Sequence, residues 1–362
     1  MTRNVLSRRI LVGVAGVALA ALTVAGCSSK TPSPTPSGSS AAASEYAGLS
    51  GSLKASGATF PNAFYTAALD EFAKVAPDLT ITYNAIGSGA GKKEFGSGLT
   101  DFAGTDSTVK DTDGPQKGTY LYVPTVAAPI TVSYKLSGVS KLQLSSDTLV
   151  KIFSRAIKKW NDPAVAADNP GVTLPDKAIT VVHRSDGSGT TNNFTKYLVA
   201  VGGTNWTLGA GDTVAWPADT QGGEKNAGVA QLIKQSDGAI GYVDFADAKT
   251  SGLDFAALKN KDGQYVAASL EGATAALAGA TIADDLTYNP LNAAGATSYP
   301  ITAPTYLLVK LKYTDAAKGK AVKGFVKWLL TDGQASAEAK GFSKLPAALQ
   351  TKALAQLDKV TT

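Results

Sequence analysis

Three short stretches combine glycine with hydroxyl residues: Gly57-Ala58-Thr59-Phe60-Pro61, Gly87-Ser88-Gly89-Ala90-Gly91 and Arg184-Ser185-Asp186-Gly187-Ser188-Gly189-Thr190. A glycine turn that feeds a helix leaves the first backbone N–H groups of that helix without an internal acceptor. Those donors, with the positive end of the helix dipole, make a site for an anion that needs no net charge. Each stretch sets hydroxyl oxygens beside missing Cβ atoms, so side-chain and backbone donors can reach one ligand together. The third also supplies the Arg184 guanidinium, able to make paired, charge-assisted bonds to an oxyanion, with Asp186 two residues on to orient it. The chemistry these residues suit is anion binding.

Catalytic frames fit the same residues poorly. Gly87 to Lys92 lacks the spacing of a nucleoside-triphosphate loop, and Lys93 stands where Ser or Thr is required. Gly87-Ser88-Gly89 puts serine directly after glycine, unlike the Gly-x-Ser-x-Gly elbow of hydrolases. A Ser-His-Asp triad would have to use His183, the single histidine. His183 neighbours Arg184 on an expected strand, so the two side chains point to opposite faces and the histidine reads as structural. Asp111 and Asp113, in a Gly/Pro-containing loop, read as solvated turn residues. One Cys and one His exclude a multi-Cys/His metal site and an internal disulfide.

Positioning the glycine turns requires strands ahead of them and helices behind. Leu79, Ile81 and Tyr83 alternate with Thr80 and Thr82, a strand signature, and Ile179-Thr180-Val181-Val182 is a β-branched run. Ala239 to Val243 and Tyr306 to Val309 are further strand candidates. Phe64, Ala68, Phe72 and Val75 recur at helical spacing, with Pro61 in the first turn and Pro77 as a stop. Phe194, Leu198 and Val201 repeat that spacing after Thr190, as do Phe325, Trp328 and Leu329 near the C-terminus. Such aromatic stripes read as core. Gly-Ser-Gly occurs three times, and the copy at 96–98, with no strand ahead of it, reads as a plain turn. Alternating strands and helices predict α/β layers.

The chain has 362 residues, 44% hydrophobic and 17% charged, enough for about two domains of ~150 residues. Its 34 basic residues exceed 29 acidic ones by five, but Arg3, Arg8 and Arg9 precede an apolar stretch from Ile10 to Ala25. That stretch is short of the ~20 residues of a stable membrane span and fits a secretory signal. Removing residues 1–26 leaves 31 basic residues against 29 acidic, so no argument for nucleic acid as a partner survives. Val24-Ala25-Gly26-Cys27 resembles the lipobox of bacterial lipoproteins, in which the cysteine becomes the lipidated N-terminus, and it contains the only Cys of the chain. Residues 27–48 form a Ser/Thr/Pro/Ala-rich tether too polar to bury a core, with the folded body expected from near Leu49.

Together, further segments carry a specific resemblance. They are Ser56-Gly57-Ala58-Thr59-Phe60-Pro61, Ala85-Ile86-Gly87-Ser88-Gly89-Ala90-Gly91, Asp101-Phe102-Ala103-Gly104-Thr105-Asp106, Lys158-Lys159-Trp160-Asn161-Asp162-Pro163, Arg184 to Thr190, and Gly238-Ala239-Ile240-Gly241-Tyr242-Val243. In this order and spacing, from about Leu53 to Pro346, the chain resembles the phosphate-binding protein of the bacterial phosphate ABC transporter, a periplasmic-type substrate-binding lipoprotein. Gly89-Ala90-Gly91 departs from the Ser-Gly-Gly frequent in that family, and His183 stands where another basic residue is common.

The resemblance implies an α/β, two-lobe periplasmic-binding-protein fold of type II-like layout. Each lobe would be a mixed sheet flanked by helices, and the chain would cross the hinge twice. Residues 49–134 plus 300–362 would form lobe 1 and residues 135–299 lobe 2. Inorganic phosphate would lie between them, touched by Thr59, Phe60 (through its amide), Ser88 and Asp106 from one side and Arg184, Ser188, Gly189 and Thr190 from the other, with Asp186 holding the arginine. Asp106 would set an anion against an anion, tolerable when a proton lies between them. Phosphate keeps a proton near neutrality and sulfate does not, so the contact favours phosphate. The implied protein is a monomeric, extracytoplasmic receptor, lipid-anchored (palmitate) at Cys27, that serves ABC permease subunits and needs no cofactor or metal. A receptor for another oxyanion, or an extracellular phosphatase, are the alternatives.

Overall fold

One nine-stranded mixed sheet runs through the described residues of the computed structural model, which are residues 45–362, and its central strands are buried on both faces. The expected signal peptide 1–26, Cys27 and most of the tether lie outside them. The main strands are β1 (Gly51–Gly57), β2 (Leu79–Ala85), β3 (Phe102–Thr105), β4 (Tyr120–Lys135), β5 (Thr180–Arg184), β6 (Gln221–Gly223), β7 (Ala239–Asp244) and β8 (Thr302–Lys310). Their order across the sheet is β2-β1-β3-β8-β4-β7-β5-β6, and Asp254–Phe255 adds to β4. β1, β2 and β3 are mutually parallel, as are β7, β5 and β6, while β4 and β8 run antiparallel to their neighbours. A separate three-stranded sheet joins Gln143–Leu144, Ala257–Lys259 and Tyr265–Val266.

β4 joins the two halves of the large sheet. Residues 120–129 pair with β8, and Ile130–Lys135 pair with β7. Proline removes a ladder donor and is normally confined to edges and bulges. Both prolines of β4 obey that rule inside a central strand. Pro124 adjoins the register shift opposite Thr305 and Tyr306, and Pro129 is the last residue before the partner changes. β8 starts beside this change, where the Ile130 amide donates to Ile301 O at 2.8 Å and the Tyr299 hydroxyl donates to Ile130 O at 3.0 Å.

Helix α1 (Asn62–Val75) follows β1 and buries Phe64, Tyr65, Ala68 and Phe72. Phe72 lies 5.2 Å from both Phe325 and Trp328 of α5 (Ala316–Leu330). Helix α2 (Ser88–Gly96) follows β2, α3 (Gly189–Gly202) follows β5 and α4 (Lys225–Gln235) follows β6. Phe194 of α3 stacks on Tyr242 of β7 at 4.4 Å, so the aromatic stripes are core, as their spacing predicts. The folded body starts slightly earlier than expected. Tyr46 is buried with its ring 5.7 Å from that of Phe72, and Glu45 pairs with Lys327.

Candidate functional site

The carboxyl ends of two sets of parallel strands, β1 to β3 and β5 with β6, which run in opposite senses, deliver the polar residues to one region. β1 leads to Thr59, β2 to Ser88, β3 to Asp106, β5 ends on Arg184 and β6 leads to Asn226. Ligands of open α/β sheets are bound beyond such strand ends. Gly57 and Gly87 both adopt positive φ, which an L side chain resists. Gly57 approaches Gly104 so closely that a Cβ would stand 2.0 Å from its carbonyl oxygen.

The turns from the two halves touch. The Gly89 amide donates to Gly187 O at 3.0 Å, and a Cβ on Gly189 would lie 2.6 Å from Ser88 Oγ and 2.8 Å from Asp106 Oδ2. The amides of Thr59, Phe60, Ser88, Gly189 and Thr190 have no acceptor among the described residues. Ser88 and Gly189 are the first residues of α2 and α3, so their donors carry the dipole of each helix. Phe60 offers only its amide, since its ring is buried 5.8 Å from Phe342. Ser188 Oγ accepts from the Thr191 amide at 3.1 Å as the cap of α3, which leaves its hydrogen to donate.

Arg184 is buried and held flat by Asp186, whose Oδ1 accepts from Nε at 2.7 Å and whose Oδ2 pairs with Nη2. Its Nη1 reaches across to Thr59 Oγ1 at 3.2 Å. Burial would raise the Asp186 carboxyl, but the hydrogen bonds and charge of Arg184, with the Lys225 amide, bring it below the ordinary range. Asp106 is the opposite case. Burial pushes it up to about 7, against the Thr305 hydroxyl at 2.7 Å from Oδ1, the charge of Arg184 and the Ser88 hydroxyl.

Every residue expected to contact the ligand therefore lies in this one region. His183 does not. It stacks on Trp216 at 4.8 Å with Nδ1 against Arg184 O, and burial lowers its pKa. Asp113 corrects its expected role, because it is the partner of the buried Lys92 at 2.5 Å rather than a solvated turn residue. Sequence reasoning missed Asn226, Asn193 and Thr305. Asn193 Nδ2 joins Asp106 O at 2.6 Å to Gly189 O at 3.0 Å. A signal for Asn226 existed: Gly222-Gly223 close a short strand directly ahead of the helix that carries it. A surface groove of about 1100 Å³ between Asp70, Phe245, Lys249, Glu271 and Lys340 includes none of the converging turn residues.

The family model of the PBP superfamily domain matches residues 36–333. The phosphate-binding protein PstS of Xylella fastidiosa is 37% identical over 272 residues, covering 74% of each chain. Among solved structures, a high affinity periplasmic phosphate-binding protein (PfluDING) bound with phosphate aligns with TM-score 0.70 and 23% identity over 84% of this chain and 93% of its own. A putative phosphate ABC transporter substrate-binding protein from Clostridium perfringens aligns with TM-score 0.62 and 20% identity over 82% and 100%. The fold is that of the two-lobe periplasmic-type binding proteins. With this fold and this sequence identity, the chain belongs to the PBP superfamily, in the family of the phosphate-binding proteins PstS.

Proposed function

We propose that the protein is an extracytoplasmic receptor that encloses inorganic phosphate between two lobes and delivers it to an ABC importer. The observation that carries this reading is the meeting of unpaired amides, hydroxyls and one buried guanidinium around Asp106, from turns far apart in the chain. Thr59, Phe60, Ser88, Asp106, Arg184, Ser188, Gly189 and Thr190 would surround the ion, and Asp186 would hold the arginine. Hydrogen bonds to a charged ligand contribute ~1.5–3 kcal/mol each, so several exceed the ~8 kcal/mol of micromolar affinity. Part of that sum would be spent on closing the lobes and immobilising the ion. Lobe 1 would combine residues 49–134 and 300–362, and lobe 2 residues 135–299. The partner change of β4 at Pro129–Ile130 supports a first crossover slightly ahead of the expected position.

The relatives' role as binding proteins supports binding without turnover. Titration calorimetry with phosphate and with sulfate, beside incubation with a chromogenic phosphate ester, tests this. Phosphate binding with no ester cleavage is the expected result, and equal affinity for sulfate or steady turnover would overturn it. Lipidation at Cys27 would anchor the monomeric receptor to the membrane beside the permease. Cys27→Ala should move the protein from the membrane fraction to the soluble one, and an unchanged distribution would count against the anchor.

A further inference from the structure

Asn226 is fully buried in the first turn of α4. Its Nδ2 lies 3.2 Å from Thr59 Oγ1 and 3.2 Å from Thr190 Oγ1, so its two amide hydrogens serve hydroxyls that belong to opposite halves of the sheet. Thr59 Oγ1 also accepts from Arg184 Nη1 at 3.2 Å. A hydroxyl oxygen has two acceptor positions and one hydrogen. Both positions on Thr59 are filled by cationic or amide donors, so its hydrogen can only be given away. Thr190 likewise receives one amide hydrogen, which turns its own hydrogen elsewhere.

The local backbone favours this use of the asparagine. Lys225, immediately before it, has φ of 61°, a left-handed conformation that costs a non-glycine residue ~1–2 kcal/mol. Its amide is bound to Asp186 Oδ1 at 3.0 Å, the same oxygen that accepts from Arg184 Nε. Strained backbone persists where its surroundings over-determine it. One aspartate thus fixes both the guanidinium and the turn that seats Asn226, while Asn226 Oδ1 has no partner among the described residues.

We propose that Asn226 is a positioning residue: by donating to Thr59 and Thr190 it commits both hydroxyls to act as donors toward the bound oxyanion. This rests on the reading of the site as a phosphate receptor. A carboxamide is suited to the task because it presents hydrogens to the threonines. A carboxylate of the same shape presents acceptors, and the hydroxyls would turn toward it and away from the ligand.

The test is phosphate titration of the full-length protein, wild type and the variants Asn226→Asp and Asn226→Ala, between pH 5.5 and 8.5. Asn226→Asp should bind on the order of 100-fold more weakly at the alkaline end, two charge-assisted hydrogen bonds being lost. Relative to wild type it should recover as the pH falls and the new carboxyl becomes a donor. Arg184 shares Thr59 with Asn226, Asp186 holds the neighbouring Lys225 amide and Asp106 lies against Gly189 beside Thr190 in both proteins, so the comparison is made as the ratio to wild type at each pH. Asn226→Ala should lose about tenfold with no added pH dependence. Thermal unfolding of the unliganded proteins checks folding, and if Asn226→Asp does not fold, the alanine variant carries the test. Binding within about threefold of wild type by the folded variants, or an Asn226→Asp deficit equal at every pH, overturns the proposal alone. Absence of phosphate binding by the wild type overturns the receptor reading with it.

Discussion

Asp106 shows how burial sets a residue's chemistry. Its carboxyl, pushed up to about 7 by desolvation, is one whose charged form the fold resists. A folded pKa above the unfolded value of 3.8 means that this group favours folding below about pH 4, and that its contribution is lost as the pH rises through 7. Asp106→Asn removes the buried charge and keeps a polar partner for Thr305. Its unliganded melting temperature should therefore gain on wild type between pH 5 and pH 8, as read by scanning calorimetry. The same substitution should raise sulfate binding more than it lowers phosphate binding, because the acceptor that repels a fully deprotonated anion is gone. Wild type should itself bind sulfate better below pH 7, once Asp106 can donate. A phosphate/sulfate ratio unaltered by Asp106→Asn would remove the carboxylate from any part in specificity.

Helix N-termini supply most of the donors of the proposed site, and they must come very close. A Cβ on Gly189 would stand 2.7 Å from Asp106 Cβ, a distance real contacts do not reach. Its φ is not positive, so alanine is tolerated within α3 itself. Gly189→Ala should then leave the unliganded melting temperature nearly unchanged while weakening phosphate binding by a hundredfold or more, about 3 kcal/mol. A variant that binds normally would mean that the two turns need not meet. Much of this arrangement is legible in sequence, because glycine turns after β-branched runs are local signals. The helices at Phe64, Phe194 and Phe325 are equally local, being read from spacing. β4 is not, since Pro124 and Pro129 argue against a central strand until the bulge and the partner change are seen. Asn226 follows a three-residue strand with no apolar side chain, so the Gly222-Gly223 pair is all that marks it. Thr305, Asn193 and Lys92 gain their roles from partners far along the chain, which no window of sequence reveals.

At the scale of the molecule, Lys92 ties the two halves together. Its ammonium is buried at the foot of α2, 2.5 Å from Asp113 in its own half and 2.9 Å from Asp212 in the other. Asp212 is itself bound to the anion turn, because its backbone oxygen accepts from the Ser188 amide at 2.9 Å and its Oδ1 accepts from Asn192 at 3.0 Å. Burying an ammonium costs several kcal/mol unless partners offset it, and here one of its two carboxylate partners is present only while the halves are together. The pair should therefore favour the closed form, and its strength should appear in the rate of ligand release rather than in the stability of the unliganded fold. Asp212→Asn keeps the backbone contact and leaves Lys92 paired with Asp113, so folding should survive. Stopped-flow measurement should find phosphate leaving roughly tenfold faster, equivalent to about 1.4 kcal/mol. The association rate should be little altered, since encounter occurs before the halves meet. An unchanged release rate would assign Lys92 and Asp212 to the packing of α2 alone, and would leave closure to the hydrogen bonds at the turns.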